Sequence, residues 1–228
     1  MEIGKANVSP VDDRWVHQDI PRNAVQGIIT VKGDGWCGWR ALAAQIHGNE
    51  DHYMKIKEAM LLTAQANAEV YQKYITFGEK EYAYMMTRLS YGLTPETEAS
   101  TGTWCEEQYW FDANTMAQVA ADAFGYPVAV FQTVTKAGII PELPKLFLPI
   151  HPPTPGTLHR PLILHLVGNH YYSVAIKPAI HIEWPPVPHW HRESWIERQV
   201  PQNYKATWRH LHIKKHRPKT QDHHPGIL

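Results

Sequence analysis

Apolar residues at helical spacing fill the first half of the chain, whereas most strand-like runs come after residue 127, and this order restricts the possible folds. Apolar positions that recur every three or four residues predict helices at residues 39–46, 51–77, 79–89 and 112–124. Short runs rich in β-branched residues predict strands at residues 25–31, 128–131, 162–167 and 171–176. Helices that precede strands predict an α+β domain whose helices pack on a small, mostly antiparallel sheet.

Charge is divided unevenly along the chain, although the 22 Lys and Arg residues balance the 22 Asp and Glu residues overall. Residues 181–228 hold eight Lys and Arg against four Asp and Glu, so this segment carries +4 and the remainder −4. The prolines of WPPVPHW at 184–190 disfavour helix and mark the boundary. We expect an N-terminal extension at 1–24, a folded domain at 25–178, and a basic tail rich in Pro, Trp and His at 179–228. The Trp-Pro segment can instead fold back onto the domain.

The composition excludes several classes of protein. With 43% hydrophobic and 19% charged residues, the chain resembles globular proteins rather than disordered ones. It holds no run of about 18 apolar residues, and residues 1–10 lack the basic and then apolar character of a secretory signal. We therefore expect an intracellular protein, cytoplasmic or nuclear, in which Cys37 and Cys105 stay reduced.

Cys37 stands where a glycine-rich turn, Gly33-Asp34-Gly35, becomes a helix. At a helix start, unpaired backbone N–H groups and the positive end of the dipole favour a thiolate and can hold an oxyanion. A nucleophile also needs a base, and His170, in the tight turn between the last two predicted strands, is the best-placed candidate. The alternatives are a buried, inert cysteine and an ordinary turn histidine.

Three segments of the chain form one pattern, namely GDGWCGWRAL at 33–42, GTWCEEQYWFDANTMAQVAADAFGYPVAVF at 102–131 and NHYYSVAI at 169–176. In residue type, order and spacing over residues 28–178, they resemble the ovarian tumour (OTU) family of cysteine proteases, most of which are deubiquitinases. The resemblance implies a papain-like OTU fold. It also implies a thiol mechanism that cleaves the isopeptide or peptide bond after the C-terminal glycine of ubiquitin or a ubiquitin-like modifier.

The resemblance also implies roles for the matching residues. Cys37 is then the nucleophile, and His170 is the general base and later the general acid. Asp34 shapes the turn behind the oxyanion site or acts as the third member of the triad. In many members an Asp or Asn two residues after the histidine orients the ring, and this chain has Tyr172 there. The other candidates for the orienting residue are Asn169, Asp12 and Asp13.

Trp36 stands where the family usually has Asn. Backbone donors around Gly35 and Trp36 are expected to bind the oxyanion, which leaves the side chain at 36 free to differ. The indole then either covers the narrow channel that admits the Gly-Gly end of the substrate or packs against the first helix. Cys105, beside Trp104, is expected to be a structural thiol, because no obvious base accompanies it.

The expected partner is ubiquitin or a polyubiquitin chain, bound by a monomer that needs no cofactor, metal or membrane. Its substrate surface is expected at residues 51–100 and in the Pro-rich loop at 141–155. The histidine pairs of the tail lack the thiolates that structural zinc normally recruits. Two alternatives stay open: a weak or inactive ubiquitin-binding pseudoprotease, suggested by Tyr172 and Trp36, and a nucleic-acid-associated protein, suggested by the basic tail.

Overall fold

Five helices and six short strands make up the part of the chain that the computed structural model describes, residues 8–9, 15–97, 103–135, 142–151 and 159–191. The helices are α1 (Cys37–His47), α2 (Tyr53–Ala66), α3 (Ala68–Tyr74), α4 (Glu79–Ser90) and α5 (Ala113–Phe124). The strands are β1 (Val8–Ser9), β2 (Val25–Ile29), β3 (Val128–Thr133), β4 (Lys145–Phe147), β5 (Leu162–Val167) and β6 (His170–Ile176). Within these ranges, no helix is long and apolar enough to cross a membrane.

The strands form one sheet in the order β1-β2-β6-β5-β3-β4. Every neighbouring pair is antiparallel except β3 and β5, which run parallel. The predicted α+β class, with helices packed on a mostly antiparallel sheet, is therefore confirmed. The sequence did not predict β4, whose three residues lie between Pro144 and Pro149. This strand forms the sheet edge, where nearby prolines are tolerated.

The helix predictions hold for α1, α4 and α5, but the single helix predicted over 51–77 is wrong. The chain leaves helical geometry at Asn67, with φ −119° and ψ 27°, and divides this region into α2 and α3. The Asn67 side chain donates to the Thr63 carbonyl at 2.9 Å, a local bond that competes with helix continuation. Both helices still bury the predicted apolar face, which includes Ile56, Met60 and Tyr71.

The sheet separates two apolar cores. Leu162 and Leu164 of β5 face the core shared with the helices, and Ile163 faces the second core, as alternation along a strand requires. The second core also contains residues from outside the predicted domain limits, namely Val16, Ile20, Ile182, Trp184 and Val187.

Packing therefore continues beyond residues 25 and 178 at both ends. The Leu146 amide of β4 donates to the Pro186 carbonyl at 3.0 Å, so the Trp-Pro segment folds back onto the sheet. The boundaries 1–24, 25–178 and 179–228 stay predictions. Residues 1–7, 10–14 and 192–228, with Asp12, Asp13 and most of the basic tail, lie outside the described residues.

Candidate active site

The glycine-rich turn brings the chain from β2 to the first residue of α1, which is Cys37. Gly35 has φ +82°, and a Cβ there would collide with the Cys105 carbonyl oxygen. A Cβ at Gly38 would collide with the ring of Phe111. These glycines are needed because the 103–111 segment packs directly on the turn and on the helix start. Two of the three sequence motifs therefore meet at Cys37.

Asp34 is bound inside this turn. Its Oδ2 accepts from Arg40 Nε at 3.0 Å and from Arg40 Nη2 at 2.7 Å, and its Oδ1 accepts from the Trp36 amide at 3.1 Å. Its carbonyl accepts from the Cys105 amide at 2.8 Å. With both carboxylate oxygens so engaged, the geometry favours the turn-shaping role for Asp34 over that of a triad member.

The Cys37 thiol lies against β6. The Tyr171 amide donates to Sγ at 3.5 Å, and this contact brings the third motif to the other two. Burial raises the pKa of the Cys37 thiol above its usual 9.0. This effect outweighs the hydrogen bonds from the Tyr171, Gly38 and Cys37 backbones, which lower the pKa. The pKa of Cys37 is therefore shifted away from the thiolate that the helix start predicts.

His170 is the first residue of β6, directly beside the residue whose amide reaches Sγ. Its Nδ1 lies 3.6 Å from where a Cβ on Gly33 would be, so the imidazole rests on the glycine-rich turn. Burial lowers the pKa of His170, while a hydrogen bond with the Val31 backbone and the charge of Asp34 act to raise it. The structure thus places Cys37, His170 and the Asp34 turn in one site.

Two residues near His170 compete for the orienting role. Asn169 is exposed in the turn between β5 and β6. The Tyr172 ring packs edge-on against the His170 ring, with centroids 4.7 Å apart and planes inclined at 69°. Sequence reasoning missed the hydrogen bond with the Val31 backbone, because main-chain partners leave no signal in residue type.

The Trp36 side chain lies in the core and does not line a channel. It is fully buried, its Nε1 donates to the Thr103 carbonyl at 2.9 Å, and its ring stacks on Tyr91 with centroids 5.7 Å apart. The indole therefore packs in the core against Tyr91 and the Thr103 backbone. The Trp36 amide is also engaged, by Asp34, so any oxyanion contact has to come from its neighbours.

Cys105 has a structural environment. It is fully buried, and burial raises the pKa of its thiol to about 12. Both cysteines are free thiols. The Cys105 amide supports the Asp34 turn, while its sulfur contacts the neighbouring Glu106 carbonyl at 3.6 Å.

The sequence matches no protein-family model and no curated protein. Among solved structures, the fold is similar to the viral OTU domain protease from Farallon virus, with 20% identity, a TM-score of 0.40, and coverage of 66% of this chain and 83% of that one. The OTU domain protease from Qalyub virus has 12% identity, a TM-score of 0.44, and coverage of 68% and 87%. The Hazara virus OTU, solved bound to ubiquitin, has 15% identity, a TM-score of 0.39, and coverage of 67% and 82%. By its three sequence motifs, and by the way they meet around Cys37, this chain resembles the OTU cysteine proteases.

Proposed function

We propose that this protein is a thiol isopeptidase that cleaves after the C-terminal glycine of ubiquitin or a ubiquitin-like modifier. One observation carries the proposal: Cys37 begins α1 with the Tyr171 amide on its sulfur, and the neighbouring His170 rests on the same glycine-rich turn. A cysteine nucleophile and an imidazole base brought together at a helix start suit acyl transfer through sulfur. The choice of ubiquitin rests on the resemblance of the three motifs.

The resting pair in this mechanism is a neutral thiol and a neutral imidazole, because burial raises the pKa of Cys37 and lowers that of His170. His170 takes the thiol proton as Sγ attacks the glycine carbonyl, and later gives it to the departing lysine amine. The same histidine then activates the water that hydrolyses the thioester. The backbone groups of Cys37 and Gly38 lower the pKa of the thiol, so they are the proposed donors for an oxyanion formed there.

The substrate surface is proposed to include Trp104, which is 63% exposed. Its neighbours on both sides are anchored to the catalytic turn, since the Thr103 carbonyl accepts from Trp36 and the Cys105 amide donates to Asp34. An exposed indole on a fixed backbone beside the nucleophile is suited to contact the extended end of a protein substrate. The regions 51–100 and 141–155 complete the proposed surface, and of these residues 98–100, 141 and 152–155 lie outside the described residues. A ubiquitin substrate would locate the enzyme in the cytoplasm or nucleus.

The test compares wild type, Cys37→Ala and Cys105→Ala on a panel of ubiquitin dimers and ubiquitin-like fusions, and with a ubiquitin probe that carries a C-terminal electrophile. Wild type and Cys105→Ala should cleave and become labelled, whereas Cys37→Ala should do neither. Cys105→Ala is the matched control, because it removes the other buried thiol. Equal cleavage by wild type and Cys37→Ala would overturn the mechanism. Binding of ubiquitin without cleavage or labelling would favour the pseudoprotease instead.

A further inference from the structure

Two stacked aromatic rings, Trp15 and Tyr172, extend from the imidazole of His170. The Tyr172 ring packs edge-on against His170 with centroids 4.7 Å apart. The Trp15 ring stacks on Tyr172, with centroids 4.8 Å apart and planes inclined at 26°. Trp15 and Tyr172 are called the aromatic column below. The column links a residue of the predicted N-terminal extension to the proposed catalytic base.

The strand register explains why the column forms. His170 and Tyr172 are two residues apart on β6, so their side chains share one face of the sheet. On the adjacent strand β5, His165 pairs directly with Tyr172 and belongs to the same face. Trp15 lies over this cross-strand pair and contacts both members.

The backbone of Trp15 is held by a buried histidine. His165 Nδ1 lies 2.9 Å from the Trp15 carbonyl, and because a carbonyl can only accept, Nδ1 carries the proton. Burial lowers the pKa of His165 to about 4, so the ring is neutral and its Nε2 accepts from Thr133 Oγ1 at 2.9 Å. Both ring nitrogens of His165 therefore form hydrogen bonds, and one of these bonds holds the Trp15 carbonyl against β5, an interior strand of the sheet.

The rest of the segment adds packing to this hydrogen bond. Val16 and Ile20 are buried in the second core. The His17 ring contacts Phe131 at 5.2 Å and the edge of His165 at 5.6 Å between centroids. The aromatic column thus rests on a segment whose residues directly after Trp15 are packed against the sheet.

We propose that Trp15 and Tyr172 are positioning residues that hold the His170 imidazole in its reactive orientation, an inference that rests on the proposed thiol mechanism. Position 172 is where the resemblance implies a polar orienting residue. Here a ring contact, beside the hydrogen bond with the Val31 backbone, restrains the imidazole plane. Tyr172 is itself held by Trp15, so the column adds to the restraint that the Gly33 turn places on His170.

The test measures alkylation of Cys37 by iodoacetamide as a function of pH, followed on the Cys37 peptide by mass spectrometry, in the full-length chain. Reactivity near neutral pH requires a well-placed imidazole, so His170→Ala defines the profile of an unassisted thiol. Trp15→Ala should move the profile towards that of His170→Ala and lower the alkylation rate near neutral pH by about tenfold. This loss is smaller than the roughly 10²-fold loss of rate that a 1 Å misplacement of a reacting group can cause. In turnover of a fluorogenic ubiquitin amide, kcat should fall by a similar factor while KM is retained.

Three further variants separate positioning from folding. Trp15→Phe keeps a stacking ring and should keep the wild-type profile, whereas Trp15→Leu keeps apolar bulk without a ring and should behave as Trp15→Ala. If Trp15→Ala does not fold, the difference between the alkylation profiles of Trp15→Phe and Trp15→Leu tests the inference. Ile182→Ala removes buried volume from the second core outside the segment that carries Trp15, and should leave the profile unchanged.

A Trp15→Leu profile that coincides with wild type would overturn the inference, and so would an equal shift in Ile182→Ala. Absence of ubiquitin cleavage by wild type would overturn the proposed function alone, because alkylation needs no ubiquitin. A shift of the alkylation profile in Trp15→Leu would support positioning even then.

Discussion

Arg40 binds Asp34 through two nitrogens, with Nε 3.0 Å and Nη2 2.7 Å from Oδ2, and the arginine side chain is only 3% exposed. The same guanidinium contacts Asp51 Oδ1 at 3.0 Å, but that carboxylate side chain is 60% exposed. Glu50 Oε2 also lies 4.0 Å from Arg40 Nη1. This cation therefore has one partner inside the glycine-rich turn, Asp34, and two outside it. We expect the shape of the turn to depend on the inner partner, Asp34.

Asp34→Ala should therefore destabilise the fold far more than Asp51→Ala. Removing the inner carboxylate leaves a buried guanidinium with the exposed Asp51 and with Glu50 at 4.0 Å, which costs about 3 kcal/mol, whereas the exposed pair with Asp51 is worth roughly 0–1 kcal/mol. Urea unfolding of the two variants measures the difference. Equal losses would show that the turn does not depend on the Asp34 ion pair.

The pH dependence of kcat/KM should be broad. Burial places the pKa of His170 below its usual 6.5 and that of Cys37 above its usual 9.0. Activity should fall on the acid side when His170 is protonated and cannot accept the thiol proton, and on the alkaline side when that proton is lost. The plateau should therefore span neutral pH, as measured with a ubiquitin substrate whose leaving group does not titrate. An acid limb above 6.5 would contradict this assignment.

Lys57 should make the stability of the fold depend on pH. Its fully buried Nζ donates to the Arg88 carbonyl at 2.6 Å and lies 3.9 Å from the centre of the Trp39 ring, and burial lowers its pKa from 10.5 to about 7. Between these values the unfolded chain binds a proton that the folded chain does not. The free energy of unfolding should therefore rise with pH across this window, by about 1.4 kcal/mol per unit at most.

Lys57→Met should lack this slope. Denaturant unfolding of both proteins between about pH 7 and pH 10 isolates the contribution of Lys57, because other titrating groups are common to the two. Lys55→Met, which removes an exposed lysine from the same helix, should retain the wild-type slope. Parallel curves for wild type and Lys57→Met would mean that the buried amine does not titrate in this range.

Trp104→Ala should raise KM for ubiquitin substrates by about tenfold and leave kcat largely intact. The reason is that a tryptophan which becomes buried when a partner binds is often an affinity hot spot. Steady-state kinetics measure the effect. Alkylation of Cys37 in the same variant is the control, and an unchanged rate shows that the catalytic turn is intact. A fall in kcat at constant KM would instead place Trp104 in support of the turn.

Several elements could be predicted from local sequence because their causes are local. Asp112 caps α5 by accepting from the Asn114 amide, and Gly125 ends it at φ +68°. Gly168, at φ +62°, makes the β5–β6 turn that places His170. Such positions carry their conformational preference in the residue itself, so the pattern of residue types was sufficient.

Other features depended on contacts between distant parts of the chain. The edge strand β4 and the burial of the Trp36 indole each follow from a hydrogen bond or packing partner that spacing does not reveal. The docking of Trp15 and of Trp184 on the sheet is of the same kind. The predicted boundaries were drawn from the first strand-like run, the prolines at 184–190 and the charge distribution, none of which records which surface a segment covers.

Sequence alone determined the candidate nucleophile and base, because a cysteine after a glycine-rich turn and a histidine in a tight hairpin turn are defined by neighbouring residues. Only the tertiary structure decided what surrounds them. In the folded chain Asp34 forms an ion pair with Arg40, the Trp36 indole is buried in the core, and Trp15 stacks on Tyr172 beside His170. The physical reason is that burial, ion pairing and ring stacking depend on distances between residues far apart in the chain, and those distances exist only once the sheet and helices have packed.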